Sequence, residues 1–474
     1  MKRNSRKIYM IGIKGVGMTM LAQFLVAAGD NVSGSDISET FMTDKILKSL
    51  NIKVISPFNV DNIPKDADLI IHSIAYTPTN NSEMKTLFEK KNNSSKNPRI
   101  ISYSEALGEI FSTHQGIAVC GSHGKTTTAA WLGYILWKAG KAPNVLVGSN
   151  VPQFKGSGIQ GKSKLFIAEA DEYGNKLQYL NAHGIVLNNI DYDHPDFFKT
   201  EADYVKVFVD FIKRLPADGF LIINNRDAIT GKIKKYCHSR VSSYDIADEN
   251  YNNETVNYLA HDLKIKNGTQ HFAVNNLGEF KIKLWGKHNV SNALAVIAAA
   301  RELKVTLPDI KKYLFSFQGT ERRSQILGNY QGALLIDDYA HHPTEIKTTI
   351  EGVRINYPGK CLKVVFHPHT FTRTKALFKD FVVSFAKADE LVVLDIYGSA
   401  REKQGGVSSA QLVKAIDIFN SKNKIKQKVL NIKNIDEAVK YLRFDIKKND
   451  VLLLMGAGDV FRVGEKLLCL KKQK

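Results

Sequence analysis

Val119-Cys120-Gly121-Ser122-His123-Gly124-Lys125-Thr126-Thr127-Thr128 is the stretch that decides the fold. The apolar run 117–120 predicts a buried strand, 121–124 a turn, and 126–139 a helix. Glycines in such a turn let backbone N–H groups approach phosphate oxygens, and the helix adds its positive end to the same anion. Lys125 is then placed to reach the outer phosphates of a nucleotide, and the Thr126 hydroxyl to ligate Mg²⁺. Gly121, Ser122, His123, Gly124 and Thr127 complete the candidate cradle. The strict Walker form is absent, because Val119 stands where its first glycine would be; the pattern is the compact Gly-x-x-Gly-Lys-Thr. A plain strand-to-helix turn is the alternative, and the flanking strand and helix favour phosphate binding.

Working outward, the same alternation recurs on both sides. Before the loop, 7–13 reads as a strand, 18–28 as a helix closed by Gly29, and 31–35 and 68–73 as further strands, with a polar surface loop at 90–98. After it, strands are expected at 165–168, 184–187 and 219–223, followed by antiparallel pairing within 245–284. A third unit opens near Arg322, with strands at 333–337, 362–366, 390–394 and 451–455 and helices at 376–385 and 436–443. Apolar strands alternating with helices predict open, mostly parallel α/β sheets. The chain of 474 residues suits two or three such domains.

Composition narrows the classes. Hydrophobic content of 43% and charged content of 24% are those of a globular chain that needs no disulfides. Cys120, Cys237, Cys361 and Cys469 form no CxxC pair, which argues against a zinc site and fits a reducing, cytoplasmic compartment. The formal charge of +19 comes from scattered lysines, with no nucleic-acid-binding signature beside them. Lys14 and the glycines around it break the apolar N-terminal run, so neither a signal peptide nor membrane insertion is expected.

Two acidic runs follow predicted strands. Glu169-Ala170-Asp171-Glu172 sits where acids of an α/β sheet face the ligand crevice. Mg²⁺ prefers such oxygen ligands, and Glu169 is the candidate, directly or through water. Asn188-Asn189-Ile190-Asp191-Tyr192-Asp193-His194-Pro195-Asp196 offers His194 as a ligand for a second Mg²⁺. Taken alone, a surface or hydrogen-bonded histidine is the simpler reading of His194.

In this order, these blocks resemble those of the Mur ligases. The likeness continues in Gly286-Lys287-His288-Asn289-Val290-Ser291-Asn292-Ala293, Thr320-Glu321-Arg322-Arg323, Asp337-Asp338-Tyr339-Ala340-His341-His342-Pro343-Thr344-Glu345 and Phe366-His367-Pro368-His369-Thr370-Phe371-Thr372-Arg373-Thr374. Ile396-Tyr397-Gly398-Ser399-Ala400-Arg401-Glu402 and Met455-Gly456-Ala457-Gly458-Asp459 complete the set. The matches span nearly the whole chain, and the third and fourth of the blocks resemble the family's L-alanine-adding branch in particular.

The resemblance implies three domains. A Rossmann-like UDP-sugar-binding domain covers 1–113, a central P-loop ATP-binding α/β domain 114–321, and a C-terminal Rossmann-like α/β domain, which receives the amino acid, 322–474. It implies a UDP-binding turn at Gly12, Gly15 and Gly17 with Asp36 near the nucleoside; Lys14 stands where the family turn carries glycine. The substrates implied are UDP-N-acetylmuramate and L-alanine, with ATP and Mg²⁺ as cofactors and no nucleic acid; monomer and homodimer both stay open. The lactyl carboxylate would attack the γ-phosphate, and the alanine amine would then displace phosphate from the acyl phosphate. Phosphoryl transfer depends on positioning and charge neutralisation. Lys125, Thr126, Glu169, His194 and Arg323 are the expected groups. Arg373 would hold the alanine carboxylate, Tyr339 and His341 would orient the amine or take its proton, and His369 lies in the same block. His288 and Asn292, four apart on one helix face, would contact adenine, with Asp338 also on the nucleotide. Helix capping by Asn289 and a surface salt bridge at Arg373 are the structural alternatives. Functional rivals are a ligase that attaches a recycled murein tripeptide to the same sugar, and a non-catalytic nucleotide-binding relative.

Overall fold

The computed structural model describes residues 5–41, 43–91, 98–248, 255–398 and 404–471. The block at 399–402 and positions 92–97 of the expected loop lie outside them; Lys91 still belongs to the helix Ser82–Lys91.

Three sheets carry the chain. The first is wholly parallel. Lys7–Ile11 lies at its centre, between Asn31–Ser35 and Leu69–His72, with Lys53–Ile55 and Arg99–Ser102 at the edges. Chain order reverses beside the central strand, so the crevice opens at that strand's carboxyl end. The strand is shorter than the expected 7–13. It ends at Ile11 because the next residue turns back: Gly12 N–H donates to the Ser35 carbonyl at 2.8 Å, with φ at +80°. A left-handed conformation of this kind suits glycine.

The second sheet has ten strands. Gln115–Cys120 is flanked by Leu165–Glu169 and Gly184–Leu187, all parallel. The antiparallel pairing expected within 245–284 is formed by Tyr258–Lys266, Thr269–Val274 and Gly278–Ile282. The helix Lys125–Lys138 has no polar face and is buried from Thr126 to Leu136. It is wrapped by the sheet and by the equally buried helix Lys287–Glu302. A helix apolar all round needs cover on every side.

The third sheet is parallel except for one edge. Its order is Gln325–Tyr330, Ala333–Asp338, Val451–Met455, Leu362–Phe366, Glu390–Leu394 and Lys428–Ile432. The helix expected at 376–385 is instead two, Phe371–Ala376 and Phe378–Ser384, broken at Leu377.

Candidate active site

The loop after Gln115–Cys120 turns between two glycines at positive φ, Gly121 and Gly124. Gly124 caps the following helix at φ +79°, and a Cβ there would come within 2.4 Å of the Asn292 side-chain oxygen. Glycine is therefore required both by the backbone and by the approach of the second helix. Asn188, Asn189 and Asp191 brace the loop from the next strand: Asn189 accepts from the His123 N–H at 2.8 Å, and the Ser122 hydroxyl donates to the Asp191 carbonyl at 2.7 Å.

Lys125 folds back over this loop. Its ammonium donates to the carbonyls of Gly121 and Ser122 and pairs with Glu172 at 3.1 Å. Burial alone would favour loss of its proton, but Glu172, Asp171 and Glu169 hold its pKa above the usual lysine value. Thr126 donates its hydroxyl to Glu169 at 2.8 Å, and the other Glu169 oxygen accepts from the Gly148 N–H at 2.6 Å. Thr126 and Glu169, both expected as metal ligands, are brought together by this hydrogen bond.

His194 adopts a left-handed backbone, φ +58°, and brings Nε2 to 3.7 Å from Glu172. Among the described residues, Asp171, Glu172 and His194 converge closely enough to share one cation; a second such group is His123, Asp191 and His342. Left-handed non-glycine residues also occur at Ser324, which lines the cavity between the second and third sheets, and at Arg322 and Thr370. Strain of this sort is retained where the surroundings enforce it, commonly at functional sites.

The third sheet closes the cleft with the loops at its strands' carboxyl ends. Asp338 accepts from Ser324 N–H at 2.7 Å and from Ala340 N–H at 2.8 Å. Arg322 pairs with Asp337 at 3.0 Å, whereas Arg323 points to Glu345 at 3.5 Å and lies over the Tyr339 ring. His341 is desolvated, and Arg373 adds to the effect, so its pKa falls to about 3 and the ring is neutral near pH 7. His369 stacks on Tyr397, 5.7 Å between ring centres. The surface salt bridge considered for Arg373 is overturned. Its guanidinium is 6% exposed and paired with Asp193 of the central sheet at 2.9 Å, in a contact that crosses between domains.

A cavity of about 850 Å³ runs between the second and third sheets. Its lining joins His123, Gly124 and Thr127 to His288, Asn292, Arg323 and Asp338. Burial and Arg323 lower the pKa of His288 to about 4, and its buried Nδ1 has no hydrogen-bond partner among the described residues. An orphaned ring nitrogen in a cavity of this size is what a purine edge would satisfy. Asn289 does not cap the helix; that place is Gly286's, and the Asn289 amide donates to the Trp285 carbonyl.

The first sheet's turn packs within its own domain and, through Tyr103, comes near the acids at and after the end of Leu165–Glu169. A Cβ on Gly17 would touch the Tyr103 ring at 3.1 Å, and the hydroxyl of half-buried Tyr103 feels Asp171 and Glu169. Gly15 opens the helix Val16–Ala27, and Asp36 accepts from the Lys14 N–H at 2.7 Å. The Lys14 ammonium, however, donates to the carbonyls of Ile37 and Glu39 and lies 3.5 Å from Asp44. It braces its own domain.

Three α/β domains, the second and third enclosing one cavity beside a glycine-lysine turn, are the architecture of a nucleotide-dependent ligase. Residues 7–115 match the Mur ligase family catalytic domain, 119–300 the Mur ligase middle domain, and 322–458 the Mur ligase glutamate ligase domain. The chain belongs to the Mur ligase family. It is 36% identical to the UDP-N-acetylmuramate–L-alanine ligase of Desulfitobacterium hafniense over 98% of this chain and 99% of that one. It is 38% identical to the enzyme of the same name from Clostridium acetobutylicum, over 98% of each. In fold it is similar to the UDP-N-acetylmuramate-alanine ligase of Thermotoga maritima, at TM-score 0.80, 23% identity and 99% of both chains. It is also similar to a murein peptide ligase of Psychrobacter arcticus, at TM-score 0.72, 22% identity and 98% of both.

Proposed function

We propose that the chain joins L-alanine to the lactyl carboxylate of UDP-N-acetylmuramate at the expense of ATP, a step in building peptidoglycan precursors. The observation that carries this reading is that Lys125 and Thr126, the latter bonded to Glu169, belong to the same turn and helix start whose His123, Gly124 and Thr127 line the 850 Å³ cavity. The full-length likeness to alanine-adding relatives supports the choice of amino acid.

In this reading the nucleotide lies in the cavity, with adenine at His288 and Asn292 and its phosphates on the loop from Gly121 to Thr127. Bound Mg²⁺ would screen the charge between phosphate and sugar carboxylate, held by Thr126 and Glu169 and, at a second position, by His194. Lys125 and Arg323 neutralise the transferring phosphoryl group; both are held protonated by carboxylates around them. Asp193 fixes the plane of Arg373, through which the alanine carboxylate would be met. Neutral His341, whose Nδ1 lies 3.0 Å from the Tyr339 carbonyl, orients the amine. No helix among the described residues is long and apolar enough to cross a membrane, in keeping with soluble, cytoplasmic substrates.

Coupled phosphate release with UDP-N-acetylmuramate, ATP and a panel of amino acids tests this. Release is expected only with all three substrates and fastest with L-alanine. Release that needs neither sugar nor amino acid, or that prefers the murein tripeptide, would sink the assignment.

A further inference from the structure

Glu345 belongs to none of the groups assigned above, yet it touches three of them. It stands at the third position of the helix Pro343–Asn356, where its Oε2 accepts from the His341 and His342 N–H groups and closes a capping box. A cap needs only that oxygen. The other one, Oε1, leaves the helix and faces two cations from elsewhere in the chain. His123 Nδ1, in the phosphate loop, is at 3.3 Å, and the guanidinium of Arg323, between the second and third sheets, at 3.5 Å. The carboxylate is almost wholly buried, 10% exposed, and it lines the nucleotide cavity. A buried charge with two cationic partners from separate segments is costly for a mere cap, since glutamine caps a helix equally well.

We propose that Glu345 is a positioning residue. It docks the C-terminal domain onto the phosphate loop through His123 and aims Arg323 at the nucleotide's phosphates. The site is then complete only when both domains meet. This rests on the assignment of the cavity to ATP. His123 is faced by Asp191 at 2.9 Å, by Glu345 and by the ring of His342. With both carboxylates in place, its ring stays protonated to higher pH than a free histidine.

Glu345→Gln keeps the cap and removes the charge, so it separates the two roles. In the full chain it is expected to leave thermal melting and the KM for UDP-N-acetylmuramate near wild type. The KM for ATP should rise about tenfold or more, the size of one lost charge-assisted contact. The alkaline rise of that KM should begin at lower pH, because His123 loses one of its two carboxylates. Wild-type ATP kinetics and pH profile in Glu345→Gln, alongside lost ATP binding in Lys125→Ala, would overturn the proposal and spare the nucleotide assignment. Unchanged ATP binding in Lys125→Ala would overturn both. A general loss of stability with all KM values raised alike would reduce Glu345 to a cap and overturn it too.

Discussion

The turns at 12–17 and 121–124 are built alike. Each follows a strand with parallel neighbours on both sides, each begins with a glycine at positive φ, and each leads into a helix with a lysine close by. What surrounds the lysine separates them. Lys14 is 8% exposed, and its ammonium is held by backbone carbonyls of the neighbouring loop and by Asp44. Lys125 stands among Glu169, Asp171 and Glu172, and Lys176 pairs with Asp171, so the three carboxylates exceed the two ammonium groups by one charge. A surplus of carboxylates beside an anion-binding turn makes chemical sense only with a cation delivered between them. In the proposed reading, the same local geometry would serve as a passive nucleotide grip in one domain and as a metal-assisted phosphoryl-transfer site in the other.

The largest effects should fall on the second turn. Lys125→Ala and Glu169→Ala are each expected to lower ligation by at least about a thousandfold while leaving UDP-sugar binding in place. Phosphate release and titration with the UDP-sugar measure the two. Lys14→Ala serves as the reference: a loss of turnover comparable to that of Lys125→Ala would erase the distinction between the turns.

Next in size is the contact that holds the second turn's loop to the third sheet. Asp193 and Arg373 are both buried, and the pairing holds Asp193 well below the usual carboxylate range against the cost of burial. Asp193→Ala leaves a buried guanidinium unpaired, at about 3–5 kcal/mol. The melting temperature should fall, and the KM for L-alanine should rise more than that for ATP. An unchanged KM for L-alanine would detach Arg373 from the amino acid.

These contacts also mark how far the sequence could be read. The parallel sheets followed from apolar runs such as 362–366 and 451–455, which sit where expected because strands covered on both faces are continuously hydrophobic. The strands Lys53–Ile55, Gln325–Tyr330 and Lys428–Ile432 escaped, since each lies at a sheet edge and is only half buried, and so lacks that pattern. In the site, Thr126 and Glu169 were each legible as candidates because each follows or ends an apolar strand; their hydrogen bond to one another was not. Asp193, Glu345 and Tyr103 were not, although the first two lie inside quoted blocks. Their partners are far away in the chain, Arg373 by 180 residues for Asp193, and no local spacing encodes such a meeting.

A smaller effect sharpens the first turn. Lys14→Met should lower the melting temperature by the loss of its bonds to Ile37 and Glu39, about 1–3 kcal/mol. The KM for the UDP-sugar should change little. A large rise in that KM would mean that the ammonium swings to the diphosphate on binding, and the two lysines would then be alike after all.

The smallest effect concerns pH. Burial by itself would lower the pKa of His123, but hydrogen bonds to Asp191 and Glu345 push it up to about 9. A histidine whose folded value is raised contributes stability that is full below its unfolded value, near 6.5, and that is lost as pH climbs to about 9. Asp191 is 37% exposed, so solvent screens part of the interaction, and about 1 kcal/mol is a fair expectation. Urea midpoints should therefore fall between pH 6.5 and 9 in the wild type and fall less in His123→Gln. An equal decline in both would place the pH dependence elsewhere and leave the junction of phosphate loop and third sheet without its charge.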